Sequence, residues 1–158
     1  MTVTAPHEVR RVRADDPAAA PMMAELLDEY VHRYGESGRE EMSRYPAEAF
    51  APPHGSLLLL LDRGEPVAGG AFMRHDGTTA EAKRIWTARA HRRRGWARRV
   101  MAELEREAAA FGYRRVYLTT GPRQPEAREL YLSCGYAPLF DVDDPPTNGP
   151  LPFEKALG

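Results

Sequence analysis

The order of four segments between residues 80 and 119 constrains the fold of this chain more than any other feature. A strand, a basic turn, a helix and a second strand follow one another. The first segment, Ala80–Ala88, alternates in side-chain character as a strand does. Apolar residues at helical spacing run through Trp96–Phe111, and Arg115–Thr119 is a short strand. A helical connection of this length predicts two parallel strands in one sheet, joined by a right-handed crossover.

Two further strand-like segments precede this unit. Ser56–Asp62 is apolar and has the length of a buried strand, and Val67–Arg74 follows it after a turn that contains glycine and proline. An Asp-Gly turn leads into the third strand, so the three form a meander. Gly69-Gly70 indicates a bulge or a close backbone neighbour. Regular alternation places Glu81, Lys83, Ile85 and Thr87 on one face of the third strand, and Ala82, Arg84, Trp86 and Ala88 on the other.

The remaining segments complete an α/β (α+β) fold. The other predicted elements are an edge strand at His7–Arg13, a helix from Pro17 or Pro21 to Gly35, an irregular segment at Glu36–Gly55 with a short helix near Glu40 or Ala47, a helix from Pro125 to about Ser133, and strands at Tyr136–Val142 and Leu151–Ala156. Together they predict a single domain over residues 1–158, with residues 1–6 loose. Its core is a mixed, mostly antiparallel central sheet with flanking helices.

The turn that precedes the long helix is suited to an anion. It consists of Arg92-Arg93-Arg94-Gly95, and the helix starts at Trp96. The first amides of a helix have no partner within the helix and lie at the positive end of its dipole. Gly95 lets the backbone approach a ligand without a Cβ in the way, and arginines suit phosphate. The turn predicts either a site for a phosphate-bearing ligand or a solvated basic turn.

Composition argues against several classes of function. The 158 residues carry a net charge of −1, so overall charge gives no support for binding to nucleic acid or to an anionic membrane. Cys134 is the only cysteine, which excludes an intrachain disulfide and a cysteine cluster for a metal. The longest apolar run, Leu57–Leu61, is too short to span a bilayer, and no secretory signal is visible. These features predict a cytoplasmic protein without a metal.

Three motifs in register resemble those of the GCN5-related N-acetyltransferases (GNAT), a superfamily that uses acetyl-CoA. The central signature of that family is Arg/Gln-x-x-Gly-x-Gly/Ala between a strand and a helix, and it is matched by Arg92-x-x-Gly95-x-Ala97. Glu81–Trp86 resembles the strand that precedes this signature. Residues 120–127, followed by Leu-Tyr at 130–131 and Cys-Gly-Tyr at 134–136, resemble the family's last motif.

The similarity covers residues 56–140 well and fits the order of elements over the whole chain. Two features depart from the common pattern of the family. Ala88 and Ala90 stand where the family often has valine and proline, and Gln124 stands near a position at which many members have asparagine. Neither departure changes what the resemblance implies about the cofactor.

The resemblance implies that acetyl-CoA is the cosubstrate. The backbone amides of Arg93–Ala97 are then expected to bind its pyrophosphate, while the side chains of Arg92 and Arg94 either add charge or form a solvated face. The end of the preceding strand is expected to present backbone groups to the pantetheine arm, where it splays away from the strand near Val116–Thr119. The residues assigned to cofactor binding in this way are Ile85, Trp86, Thr87, Ala88, Arg92, Arg93, Arg94, Gly95, Trp96, Ala97 and Gln124.

The resemblance also implies two catalytic residues. Tyr131 stands where the family places a tyrosine that donates a proton to the leaving thiolate; the alternative is a core aromatic on an amphipathic helix. Glu81, eleven residues before Arg92, resembles the glutamate base of histone-acetylating relatives. The alternative for Glu81 is an ion pair with Lys83 or a neighbouring arginine. An amide at a bulge in the strand would stabilise the oxyanion.

The sequence therefore favours an acetyl-CoA-dependent N-acetyltransferase that transfers acetyl directly to a primary amine of a small molecule, peptide or protein. The alternatives are a non-catalytic acyl-CoA-binding or regulatory module and, with less support, a nucleic-acid binder that uses the basic residues from Lys83 to Arg99. Residues 36–53 and 141–150 are expected to shape the acceptor pocket. Asp141, Asp143 and Asp144 either attract a cationic acceptor or form a solvated loop. We expect no nucleic-acid or membrane partner, and a homodimer is common in the family.

Overall fold

Seven strands form one mixed sheet in the computed structural model, which describes residues 7–158; the predicted loose segment at residues 1–6 lies outside them. The strands are β1 (Glu8–Arg11), β2 (Ser56–Asp62), β3 (Glu65–Arg74), β4 (Thr79–Thr87), β5 (Arg115–Thr120), β6 (Ala137–Pro138) and β7 (Leu151–Ala156). Their order across the sheet is β1-β2-β3-β4-β5-β7-β6. The β4–β5 pair is parallel, and the other pairs are antiparallel. The predicted mixed, mostly antiparallel sheet with a parallel crossover pair is confirmed.

Four α-helices flank the sheet within the described residues. They are α1 (Ala20–Tyr34), α2 (Glu36–Ser43), α3 (Trp96–Ala110) and α4 (Pro125–Ser133), with short 3₁₀ turns at Pro17–Ala19, Ala47–Phe50 and Arg89–His91. Asp16 caps the first 3₁₀ turn, because its Oδ1 accepts from the Ala18 amide at 2.8 Å. Gly35 ends α1 in a positive-φ conformation that only glycine adopts readily. The predicted start and end of this helical stretch are confirmed.

The segment from residue 36 to 55 is more regular than its polarity predicts. The sequence predicts one short helix, near Glu40 or near Ala47, and the structure has helical turns at both places, as α2 and a 3₁₀ turn. α2 crosses α1 so closely that a Cβ at Gly38 would lie 2.2 Å from the carbonyl oxygen of Tyr30. The eight residues of α2 are mostly polar and form no apolar stripe. Packing against α1 therefore stabilises this helix.

The strand predicted at Tyr136–Val142 is wrong in length, since β6 comprises only Ala137–Pro138. The chain turns at Asp141, whose Oδ1 accepts from the amide of Asp143 at 2.9 Å. The carbonyl of Asp141 accepts from the next amide as well. Aspartate favours such turns because its side chain competes with a strand partner for nearby amides.

The sheet carries a hydrophobic core on each face. Alternate residues of β2 enter the two cores, Leu58 and Leu60 on the side of α3, and Leu57, Leu59 and Leu61 on the side of α1. Both faces of β2 are therefore covered, as its continuous apolar run predicts. Each such leucine contributes about 1.5–3 kcal/mol through burial, so the central strands form a rigid frame for whatever lies at their ends.

β4 contains a bulge opposite the glycine pair of β3. Arg84 and Ile85 together oppose Gly70, so the extra residue lies on β4. Arg84 adopts a φ of 62°, the left-handed conformation that a bulge of this kind requires. A Cβ at Gly70 would lie 2.8 Å from both Leu104 and Val100 of α3, so glycine also permits the close approach of that helix.

The bulge overturns the predicted alternation along β4. Lys83 Nζ lies 3.1 Å from Glu41 Oε1, and Arg84 Nη2 donates to the Glu41 carbonyl at 2.9 Å, so both side chains lie on the α2 side of the sheet. Ile85 packs into the opposite core with α3. The expectation that Ile85 shares a face with Glu81 and Lys83 is therefore wrong, because the bulge shifts the register by one residue.

Candidate active site

A cleft of about 1270 Å³ opens where β4 and β5 part. The two strands pair at three positions, from Thr79 with Arg115 to Glu81 with Tyr117, although both strands continue beyond them. The predicted splay of the parallel pair is confirmed. The cleft is walled by α1, α2, the start of α3, the segment between β5 and α4, and residues 147–150. Its volume exceeds the roughly 300–1,000 Å³ of ordinary small-molecule pockets, so a large ligand fits.

The basic turn before α3 presents a row of unpaired backbone amides at this cleft. From Arg92 to Arg98, no amide has an acceptor within hydrogen-bond distance among residues 7–158, and no side chain caps α3. Arg93 and Gly95 adopt φ of 65° and 85°. Successive amides in turns of this kind form concavities for anions, and the dipole of α3 adds positive potential there. The anion site predicted from the sequence has the backbone it requires.

The arginine side chains of the turn differ in their surroundings. Arg92 Nη2 lies 3.3 Å from Glu29 Oε2 on α1, so its charge already has a partner. Arg94 Nη1 lies 3.2 Å from His91 Nδ1, and Arg94 does not line the cleft. Arg93 lines the cleft and is exposed, and the rest of residues 7–158 places no carboxylate within ion-pair distance of it. Of the three, Arg93 is the side chain best placed to meet an anion.

Three of the four residues predicted at the end of β4 line the cleft, namely Ile85, Trp86 and Thr87. Ala88 does not, and its amide donates to the Val67 carbonyl at 2.8 Å, so that group is used within the sheet. The Trp86 indole donates to Glu25 Oε1 at 3.1 Å and ties α1 to β4. After Glu81, β4 has no strand partner on the β5 side within the described residues, which leaves that edge open toward the cleft.

Gln124 joins two walls of the cleft. Its Oε1 accepts from the Tyr34 hydroxyl at 3.2 Å and from the Gly121 amide at 3.2 Å. One carboxamide thus holds the end of α1 against the segment before α4. Arg33 strengthens the same contact, since its guanidinium donates to the Arg123 carbonyl and pairs with Glu126. Gln124 lines the cleft, with its acceptor oxygen engaged by the protein.

Gly121 is required by this contact, because a Cβ there would lie 1.7 Å from the Tyr34 hydroxyl oxygen and 2.4 Å from Cζ. We expect Gly121→Ala to lower the free energy of unfolding by about 1–2 kcal/mol, since the tyrosine ring must move and its hydrogen bonds break. Urea unfolding measures the change. In a Tyr34→Ala background the same substitution is expected to cost less than about 0.5 kcal/mol, because the ring it would displace is gone; equal losses in both backgrounds would contradict this explanation.

Tyr131 lies at the cleft with its ring in the core. The ring makes edge contacts with Tyr136 and Phe153 at centroid distances of 6.1 and 5.8 Å, and the residue is 7 % exposed. Its hydroxyl has no hydrogen-bond partner among residues 7–158. Burial raises the pKa of Tyr131 well above the ordinary value, and the nearby Tyr30 phenol adds to the rise. A protonated donor without a protein partner is thus available at the cleft.

Glu81 lies at the point where the two strands separate, in a network of charges. Its carboxylate is 3.4 Å from Lys83 Nζ and 3.5 Å from His75 Nδ1. The His75 ring stacks on the ring of Tyr117, with centroids 4.6 Å apart, and Tyr117 is the residue of β5 that pairs with Glu81. The ion pair with Lys83 that the sequence offers as an alternative to a catalytic role is present.

Lys83 remains charged despite its burial. Desolvation lowers the pKa of the Lys83 ammonium, but the carboxylates of Glu81 and Glu41 more than offset this, so its pKa is raised. The ammonium also lies 5.0 Å from the ring centroid of Tyr45. Glu41, Tyr45 and the buried Arg84 form the α2 side of the cleft, and none of them was assigned to the site from the sequence. Glu41 lies on a polar helix without a motif, so no sequence signal identifies it.

Other candidate groups lie away from the cleft. Cys134 is half-buried and does not line it, and desolvation raises the pKa of its thiol.

No group of three or more histidine, cysteine or acidic side chains within residues 7–158 is arranged to hold a metal ion. No helix in this part of the chain has both the length and the apolar character needed to cross a membrane.

The chain matches one protein family over most of its length. Residues 20–136 match the Acetyltransferase (GNAT) family. Among solved structures, a protein from Klebsiella pneumoniae subsp. pneumoniae MGH 78578 that is described as an acyl-CoA N-acyltransferase has a TM-score of 0.76 and 22% identity, over 98% of this chain and 100% of that one. The curated protein sequences give no match.

Two further structures contain the cofactor of the family. A GNAT family acetyltransferase from Elizabethkingia anophelis with acetyl-CoA bound has a TM-score of 0.66 and 15% identity, over 98% of this chain and 100% of that one. An aminoglycoside 6'-N-acetyltransferase in complex with coenzyme A has a TM-score of 0.67 and 17% identity, over 96% and 97% of the two chains. At these identities the structures show a shared fold, and the family match covers most of the sequence. The chain therefore belongs to the GNAT family of acetyltransferases.

Proposed function

We propose that this protein is an acetyl-CoA-dependent N-acetyltransferase that transfers acetyl directly to a primary amine. The observation that carries the proposal is the run of unpaired amides from Arg92 to Arg98 at the mouth of the cleft. The first amides of a helix have no partner within it, and the amides of the turn before α3 have none among residues 7–158 either. The turn therefore concentrates donors at the positive end of the dipole of α3, where an anion is favoured. This run lies at the start of α3 and beside the splayed strands, where the resemblance to the family implies that the CoA pyrophosphate binds.

The residues present fit coenzyme A along the cleft. The amides of the turn and the exposed Arg93 suit a pyrophosphate. Beyond them, the β4 edge after Glu81 has no strand partner among residues 7–158 and can bond the amides of a pantetheine arm. Tyr131 and Glu81 line the same cleft. Phosphate site, extended backbone edge and titratable groups thus occur in one continuous space.

The chemistry divides between two side chains. Acetyl-CoA supplies a thioester whose carbonyl carbon is attacked by the acceptor amine. Glu81 removes a proton from that amine, directly or through water, because an alkylamine with an ordinary pKa of about 10 is protonated at neutral pH. Tyr131 donates its proton to the departing sulfur, for which its raised pKa keeps it in the donor form. A backbone amide at the β4 bulge stabilises the oxyanion.

Direct transfer is favoured over a covalent acetyl-enzyme. A thiol acts as nucleophile through its thiolate, and burial of Cys134 raises the pKa of its thiol and so disfavours that form. Cys134 also lies outside the lining of the cleft. Proximity of the two substrates, an oxyanion donor and two proton-transfer groups are sufficient for the reaction.

The phosphate site is tested by two matched glycine substitutions. Gly95 and Gly112 lie at opposite ends of α3 and adopt φ of 85° and 95°, and a Cβ added to either would have no neighbouring atom within 4 Å. We expect Gly95→Ala and Gly112→Ala to lower the free energy of unfolding by a similar amount, about 1 kcal/mol, because the backbone strain is the same. Only Gly95→Ala is expected to weaken CoA binding, because its Cβ would keep the phosphate away from the backbone amides of the turn. We expect a loss of about tenfold or more, since one charge-assisted hydrogen bond contributes about that much.

Isothermal titration with CoA measures the affinity, and urea unfolding measures the stability. Wild-type CoA affinity in Gly95→Ala would remove the turn before α3 from the proposed site. Binding that is lost in both variants would indicate that altered stability, and not the phosphate site, determines the affinity.

A further inference from the structure

Every carboxylate that lines the cleft already has a cationic partner within the protein. Glu29 pairs with Arg33 at 3.2 Å and with Arg92 at 3.3 Å. Glu126 pairs with Arg33, and Glu81 pairs with Lys83 at 3.4 Å. An acceptor with several positive charges would have to displace one of these partners to gain a carboxylate of its own.

The acceptor end of the cleft, defined here as Glu41, Arg44, Glu81, Lys83 and Arg84, carries more positive than negative charge. Three cations surround Glu41: Arg44 at 2.9 Å, Lys83 at 3.1 Å and Arg84 at 3.7 Å. With the two carboxylates ionised, the cluster retains one net positive charge. The Lys83 and Arg84 side chains are only 12% and 3% exposed, so solvent and salt screen their charges weakly. His75, which faces Glu81 from the β3–β4 turn, adds a further charge when it is protonated.

The acidic cluster near the C-terminus does not reverse this balance. Asp141, Asp143 and Asp144 are exposed, and Asp141 is engaged by the amides of its own turn. None of the three lines the cleft; the part of this loop that does is residues 147–150, which are uncharged. The interpretation that these aspartates attract a cationic acceptor therefore has no support at the site.

Arg44 is the cation of this end that is free to turn toward a ligand. Its side chain is 57% exposed and lies just beyond α2 at the edge of the cleft. If Arg44 releases Glu41, that carboxylate keeps Lys83 and Arg84 as partners, so no buried charge is left unpaired. A guanidinium of this kind binds a carboxylate through two parallel hydrogen bonds.

We propose that the acceptor carries a carboxylate next to its amine, as an amino acid does, and that Arg44, supported by the charge of Lys83, binds this carboxylate. The inference rests on the proposed N-acetyltransferase function and names the substrate class of that site. It disfavours polyamines and aminoglycosides, whose several ammonium groups would meet the same excess of positive charge.

The test compares matched acceptors in an assay of free thiol release from acetyl-CoA. Each of several amino acids is paired with its C-terminal amide and with the amine that lacks the carboxylate, and spermidine represents the polyamines. We expect kcat/KM to be at least about tenfold higher for the amino acids, as one charge-assisted interaction would give. An equal or higher kcat/KM for the amides, the simple amines or spermidine overturns the inference but leaves the N-acetyltransferase function standing. No thiol release with any amine overturns both.

Two arginine variants test whether Arg44 causes the preference for amino acids. Arg44→Gln is expected to raise KM for the amino acids by about tenfold, with little change in kcat and none for the simple amines. Arg39→Gln removes the same charge from a residue of α2 that is 55% exposed, pairs with Glu36 at 3.8 Å and does not line the cleft. It is expected to leave all constants unchanged. Equal effects of the two variants would show that overall charge, and not a carboxylate site at Arg44, determines the preference.

Discussion

Tyr131→Phe is expected to lower kcat for acetyl transfer by about 100-fold or more, the contribution usual for a positioned general acid. The free energy of unfolding is expected to change little, because the Tyr131 hydroxyl has no hydrogen-bond partner among residues 7–158 and phenylalanine keeps the ring contacts with Tyr136 and Phe153. The raised pKa of Tyr131 keeps it protonated well above neutral pH, so the donor itself should cause no loss of rate at moderately alkaline pH. Steady-state kinetics of thiol release measure the effect.

Tyr136→Phe is the matched control. Tyr136 is buried in the same core, but its hydroxyl donates to Glu105 Oε2 at 2.9 Å and does not face the cleft. We expect this variant to lose about 1 kcal/mol of stability and to keep kcat, the reverse of the Tyr131 variant. Unchanged turnover in Tyr131→Phe would establish the core-aromatic interpretation and remove the general acid from the mechanism.

Glu81→Gln is expected to lower kcat/KM by about 100-fold and to remove the acidic limb that protonation of this carboxylate adds to the pH–rate profile. The dependence on protonation of the acceptor amine itself, with its ordinary pKa of about 10, remains in the variant. As the pH falls, protonation of the base stops the reaction in the wild type. Glutamine has no such proton to gain, so the residual rate should no longer follow that titration. The pH dependence of kcat/KM for one amine acceptor, measured in both proteins, gives the comparison.

Glu41→Gln separates a base from an ion pair. Glu41 and Glu81 both pair with Lys83, at 3.1 and 3.4 Å, and glutamine removes one negative charge beside that ammonium in either case. If Glu81 acts only through the ion pair, the two variants will show similar profiles. We expect Glu41→Gln to retain the acidic limb. Loss of the limb in both variants would contradict the assignment of Glu81 as the base.

The parts of the fold that could be predicted are those in which local pattern and long-range packing agree. β2 and β7 have the predicted bounds, and α3 starts at Trp96 as its stripe and glycine predict. The bulge opposite Gly69-Gly70 was indicated, but it lies on β4. An arginine in the left-handed conformation leaves no mark in a sequence, since bulges are usually recognised by a glycine at that position.

The acceptor side of the cleft depends on contacts that no local pattern reveals. Lys83 meets Glu41 across 42 positions of sequence, and Tyr34 meets Gln124 across 90. Each contact exists because α1 and α2 pack across the end of β4, and α2 itself is too polar to be recognised by periodicity. The cofactor side differs because its determinants, a turn and the first amides of one helix, are adjacent in sequence. Sequence therefore predicts the donor end of the site better than the acceptor end.

Under the proposed function, the cleft catalyses acetyl transfer from acetyl-CoA to an amine. The most direct measurement incubates the purified protein with acetyl-CoA and a mixture of amino acids and amines, and follows free thiol and N-acetylated products by mass spectrometry. We predict one N-acetyl product for each CoA released, and a rate that falls at least about 100-fold in Tyr131→Phe. Binding of CoA without product from any amine would contradict the claim and would identify a non-catalytic acyl-CoA-binding module.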